Sequence, residues 1–483
     1  MTPAATVRRL PLLGALLLVA ILAALAGDAT RPGSGSAPTV DPSARPPAGT
    51  VSAAWYCPGA VASLPLASES LRIANVGPDD AQVVATVYPD DGGVPVVTTL
   101  DVPAHGAAEF PRADLGPAGG VAVEAFTRDV VVESAVTDAE RAAVEPCPTR
   151  PSANWFFAAG TTARGVEQYL ALFNPLGSDA KIDVTLFTDV GTSEPDRLRS
   201  IDVPRRSRVV VPVHEVERRA RRVGVRVHAT IGQVVAEQTL VYGGGTTTPG
   251  IARSTGTDAP SDGWLVPDVT VREGAATFVA VSNPNEVDAD VDIVAVAADP
   301  ETVADPLTVT VPAGRSTWVR IGTCPEPPDP DVPCVPIGTE GSVAVNVIAA
   351  SPELPVVAEY FARFDEARGG GVVTSRAARA GARAWYFATT IAGSSRATLT
   401  VATTGSSTVA VDVTVVRGGE ERQPDRFAGI EVPPGRPVPI VLDGVLEPGT
   451  ALVVRASGEV VVQRTTSGGE ITGSLGVPEA PRR

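Results

Sequence analysis

The chain repeats itself at intervals of about one hundred residues, and that period decides what it can fold into. Three landmarks recur in register. An aromatic opening stands at Trp55, Trp155, Trp264 and Trp385. It is followed 20, 19, 19 and 19 residues later by Asn75, Asn174, Asn283 and Thr404. A Val-Pro step places Pro103, Pro204, Pro312 and Pro433 48, 49, 48 and 48 residues after the tryptophans. A Val-rich run closes each unit, as "VVVES", "VVAEQ", "VVAEY" and "VVVQR". Tandem duplication is the simplest account.

Between the landmarks the pattern has period two. "KIDVTLFTDVG", "DVDIVAVAADP" and "AVDVTVVRGG" put apolar residues at alternate positions, as strands with one buried face do. Asn-Pro steps and "VPAGRS" or "VPPGRP" supply the turns. Gly (47) and Pro (45) are abundant, which suits many short strands joined by turns rather than long helices. The expected fold class is all-β: four tandem antiparallel β-sandwiches of the immunoglobulin or fibronectin-III kind, each with roughly seven strands. The units are placed at 51–149, 150–258, 259–380 and 381–470, with a tail at 471–483.

The four repeated tryptophans read as core anchors. A sandwich filled mostly by Val and Ala needs a large residue between its sheets, and one ring buries on the order of 150–250 Å². An exposed platform for sugar rings is the alternative. Trp318, in "GRSTWVRIG", lies outside the motif and is the candidate exposed aromatic.

The aromatic opening (Trp155, Phe156, Phe157, Ala158, Gly160, Thr161), the Asn174-Pro175 and Asn283-Pro284 steps, and the closing Glu133, Glu237 and Glu359 carry a resemblance. Over most of 51–470 the chain resembles a family of exported bacterial proteins built from a domain of unknown function. The likeness is strongest in the second unit and weakest in the fourth, where Thr404 and Gln463 replace the Asn and Glu. The resemblance implies export and β-structure, and carries no activity.

The N-terminus also points to export. Arg8 and Arg9 precede an apolar run from Leu10 to Ala26 that ends in a small-x-small site. A cleaved signal peptide over 1–26 is the first reading; an uncleaved signal-anchor, with membrane contact through 10–26, is the second. Residues 27–50 are Pro, Gly, Ser, Ala and Thr, the composition of a disordered tether. Export makes the four cysteines candidates for disulfides. Cys57 opens the first unit and Cys147 closes it, while Cys324 and Cys334 share one acidic loop, so the expected pairs are Cys57–Cys147 and Cys324–Cys334. A metal site is the competing reading, but there is no C-x-x-C pair and the histidines are not spaced with the cysteines.

No catalytic constellation stands out, and no cofactor is implied. "HEVER" lacks the second histidine of a zincin, and "DADVD" reads as a solvated strand face, with a nonspecific calcium contact there or at Asp329 and Asp331 as the alternative. Glu133, Glu237 and Glu359 fall one per unit, too dispersed for a glycosidase pair. They are expected to pair locally, Glu237 near Arg208 and Glu359 near Arg315. The net charge of −16 argues against nucleic acid. One segment runs against that charge. Residues 197–226 hold ten arginines and three acids, with "VHEVERRARRVG" expected as a short helix. Arg205, Arg206, Arg208, Arg218, Arg219, Arg221 and Arg222 are the candidate anion-binding residues, through bidentate guanidinium contacts. The function expected is a non-catalytic exported protein, secreted or held at the cell surface, that scaffolds, adheres or binds. Its partner would be an anionic envelope polymer, a glycan or another envelope protein. An envelope hydrolase or a carbohydrate-binding accessory protein is the alternative.

Overall fold

Alternation becomes strand throughout the chain. A computed structural model describes residues 40–47, 49–61, 69–137, 142–243, 246, 248–365, 370–388, 396–467 and 472–481. The signal, anchor and most of the tether expected over 1–39 lie outside these residues. The described chain is all-β and overwhelmingly antiparallel. In its first quarter β1 (Ala53–Cys57), β2 (Glu69–Asn75), β3 (Ala81–Pro89), β4 (Val96–Val102), β5 (Gly106–Pro111), β6 (Gly119–Ala125), β7 (Val130–Thr137) and β8 (Ala142–Pro146) form two sheets. Their orders are β1-β6-β3-β4 and β5-β2-β7-β8.

The same two strand orders recur in each later quarter. In the second, Asn154–Phe157 takes the place of β1 and Gly250–Thr255 that of β8, and two short strands share the place of β4. The third adds Cys334–Pro336, which runs parallel beside Ser316–Gly322. In the fourth, one long strand, Ala451–Ser467, passes from one sheet into the other and joins them. The count is therefore eight strand positions per quarter, not seven. The eighth is the strand after each Val-rich run, which pattern reading passed over because it carries no alternation: Gly250–Thr255 and Gly371–Arg376 are buried at every position.

The landmarks acquire physical roles. Trp55, Trp155, Trp264 and Trp385 are all at most 3% exposed. Three of their indole N–H groups donate to a carbonyl at the start of the Val-rich run: Val234, Val356 and Val460, at 2.7–2.8 Å. The repeated asparagine is a buried staple. Asn174 Nδ2 donates to Ser178 O and Val203 O while its Oδ1 accepts from Leu176 N, and Asn283 repeats this with Val287, Val311 and Asn285. The Val-Pro step thus recurs because its valine carbonyl receives the staple. Both expected disulfides are formed.

What the repeat could not announce is how the quarters meet. β8, Gly250–Thr255, Gly371–Arg376 and Thr472–Leu475 touch one another in cyclic order, so the four quarters close into a ring around these strands. Residues from all four strands line the axis, and the void there is only about 10 Å³, no more than one water molecule needs. At each junction the sheet carrying the Val-rich strand of one quarter packs on the tryptophan-bearing sheet of the quarter before it. The core of the first quarter accordingly runs on into Tyr386, Ala388 and Val453 of the fourth.

Two boundaries move as a result. Residues 472–478, expected in the tail, supply the innermost strand of the fourth quarter and a strand beside Trp385. Residues 40–45, expected in a disordered tether, are docked. Arg45 bridges to Glu479 and pairs with Asp129, and Asp41 pairs with Arg376, so this short segment fastens the ends of the ring. Burial of Asp41 and Arg376 together overrides a composition that has little else to bury.

Candidate functional site

The repeated glutamates come first, because they look most like chemistry. Each faces away from the core of its own quarter into a junction. Glu359 accepts from Ala158 N, Ala159 N and Ser254 Oγ of the second quarter, at 2.7–2.8 Å. Glu237 pairs with Arg253 on the adjacent strand, whose Nη1 reaches Ser134 of the first quarter. Glu133 receives Arg464 of the fourth quarter at 3.1 Å. Gln463 completes the cycle by donating to Asp268 O of the third. Glu237 and Arg208 lie on one face of their sheet and interact electrostatically, as expected, but form no ion pair, and Arg315 is not among the partners of Glu359. Arg208 instead crosses to the first quarter, to Asp90 and to the carbonyls of Pro58 and Ala60, and Arg315 is exposed. For Glu359 the reason is that the outer face of its strand is covered by the second quarter, which supplies nearer partners; for Glu237 it is Arg253 on the adjacent strand of its own quarter. Burial pushes the carboxyls of Glu237 and Glu359 up, and that of Glu145, on β8, well above the usual range.

The arginine segment does not form one patch. Its helix is the single turn Val213–Val216. Beyond it the backbone is pinned by bonds from Arg219 N, Ala220 N and Val223 N to residues 160–162, and Arg219 adopts φ 63°. Arg208 is buried in the first junction. Arg205 and Arg206 sit exposed at a turn, and Arg218 and Arg219 point to solvent beside the helix. Arg221 and Arg222 reach the third quarter, where Arg222 Nη1 donates to Asp331 O at 2.7 Å and Arg221 meets Asp331; Arg221 also meets Asp189 of its own quarter. Asp331 stands in the loop closed by Cys324–Cys334.

Trp318 is not exposed. At 7% exposure it packs on Phe361 (4.6 Å between ring centroids) and Phe278 (5.6 Å). It sits on the outer face of its strand, where the second quarter covers it, while Val319 and Ile321 fill the sandwich core. The same period-two logic turns Phe361 and Arg363 toward the second quarter and Tyr360 and Phe364 inward.

The features that the quarters do not share therefore meet at one junction. Between the second and third quarters lies a cleft of about 270 Å³. Tyr242, Trp318 and Phe361 form its aromatic wall, and Arg164, Arg221 and Arg363 bring three guanidinium groups to it. No carboxylate, histidine or cysteine lines it. Among the described residues, Arg164 and Arg363 have no ion-pair partner, and the indole N–H of Trp318 has no acceptor. Arg164 and Arg363 were not singled out from the sequence. Each is a lone arginine in its own segment, and only the junction brings them together. Among the described residues no cluster of three His, Cys, Asp or Glu is placed to hold a metal ion, and no helix is long and apolar enough to cross a membrane.

No curated protein matches the chain. Residues 142–328, from the last strand of the first quarter into the cysteine loop of the third, match the model of a family described as Family of unknown function (DUF5719).

Proposed function

We propose that the protein is an exported, non-catalytic binding scaffold of the cell envelope. In this reading each quarter is a β-sandwich module of immunoglobulin or fibronectin-III type, and residues 1–26 direct export as a signal peptide or signal-anchor. One observation carries the reading. The repeated glutamates, which would be the first candidates for acid–base work, are bonded within the junctions and serve assembly. Two intramolecular disulfides suit an oxidising compartment. The test is fractionation of cells expressing the full chain, with protease added to intact cells and thiols counted after alkylation. The reading expects the chain outside the cytoplasmic membrane with no free thiol. Recovery in the cytosol with reduced cysteines would overturn it.

A further inference from the structure

We propose that the cleft between the second and third modules binds a sugar ring carrying an anionic group, as one residue of an acidic glycan. This names the ligand class for the scaffold proposed above and rests on that reading. The chain carries −16 overall, and the buried arginines Arg208, Arg253, Arg376 and Arg464 are each consumed by a carboxylate. Arg164 and Arg363 are not, and they converge with Arg221, itself paired with Asp189 and Asp331, on a lining without a carboxylate. Guanidinium groups so placed suit a carboxylate or phosphate, which they grip through two parallel N–H donors.

The wall supplies the second requirement. Trp318 and Phe361 give it an apolar surface, and a sugar ring has apolar C–H faces to lay against such rings. One polar group on this wall is more than nine-tenths buried yet unpaired among the described residues: the Trp318 indole N–H. A sugar hydroxyl is a partner for it, which a bare inorganic anion held by the arginines is not. A volume of about 270 Å³ lies below the usual range for drug-sized ligands, so the cleft takes one ring rather than a stretch of chain.

The test titrates glucuronate, a hexose phosphate, neutral glucose and inorganic phosphate into the full chain by calorimetry. It repeats this with Arg164→Gln, Arg363→Gln and, as a control at an exposed site elsewhere, Arg383→Gln. Both cleft arginines are exposed and make no ion pair, so their variants should melt with the parent. The anionic sugars should bind, weaken about tenfold in each cleft variant, and be unaffected by the control. Glucose binding as well as glucuronate, or inorganic phosphate binding as well as the hexose phosphate, would overturn the assignment. So would the absence of binding by either anionic sugar, or equal loss in the control. None of these outcomes touches the export reading, which stands or falls on the fractionation.

Discussion

Single residues in this protein are tuned for its junctions. Glu359 shows the pattern. Its carboxylate is buried, which costs free energy, and two backbone N–H groups and a hydroxyl of the second quarter offset that cost. Glu359→Ala should lose about 2–5 kcal/mol of stability in a urea melt, because three donors lose their acceptor at once. Glu359→Gln should lose less. The buried carboxyls also set a pH dependence. Those of Glu145, Glu237, Glu359 and Asp268 are raised, chiefly by burial, so the folded chain holds protons that the unfolded chain releases. Their favourable contribution is full below the ordinary glutamate value of 4.5 and is lost as pH rises through the folded values. Asp41 works the other way. Its carboxyl is held down by Arg376 and Ser43 against the pull of burial, and its contribution fades as pH falls through a value below 3.8. Thermal melts should therefore rise as the pH is lowered from neutral toward 4.5 and fall again below 3.8. Glu145→Gln, which keeps an acceptor for Thr255 N, should flatten the first of these slopes. A slope unchanged in that variant would show that Glu145 is ionised in the fold.

At the scale of elements, the junctions are built by leaving room on one strand for a side chain from the next quarter. β6 carries Gly120, and a Cβ there would lie 2.3 Å from the ring of Phe173. The corresponding strand of the second quarter carries Gly224, against Ser282 of the third. Phe173 and Ser282 both stand immediately before the stapling asparagine, so the contact belongs to the repeat. Gly120→Ala should cost about 1–3 kcal/mol through overpacking. Combined with Phe173→Leu, the loss should be smaller than the sum of the two single losses, and a double-mutant cycle measures that coupling. Additive losses would mean that the strands do not touch in solution. This level was partly legible in the sequence. The strands, their buried faces and the tryptophan anchors followed from period two and from the register of the repeat. The small residues of β6 signalled nothing, because a glycine in a strand reads the same whether it faces water or a phenylalanine 53 residues away.

For the molecule as a whole, closure is the new fact. A linear string of the four quarters would leave one terminal sheet face bare at each end; a ring covers both. The fastening is the segment 40–45, with Arg45 against Asp129 and Glu479 and Asp41 against Arg376. A chain beginning at residue 47 should melt in two transitions, with the first and fourth quarters separating first, as followed by hydrogen exchange. A single transition at the parent midpoint would show that the segment does not hold the ring closed.

The sequence by itself determined the strand content, the period, the disulfide pairs and the burial of the repeated tryptophans. These depend on local alternation and on comparing the repeats with one another. Only the tertiary structure decided the partners of the glutamates, the burial of Trp318, the dispersal of the arginine segment and the convergence of Arg164, Arg221 and Arg363. The physical reason is that a strand has two faces. The inner face is dictated by its own sandwich and leaves a period in the sequence. The outer face is dictated by a neighbouring quarter that the chain reaches about one hundred residues away. That neighbour turns an apparently solvated face into an interface, and it is at such an interface that the cleft bearing Arg164 and Arg363, which have no ion-pair partner among the described residues, is assembled.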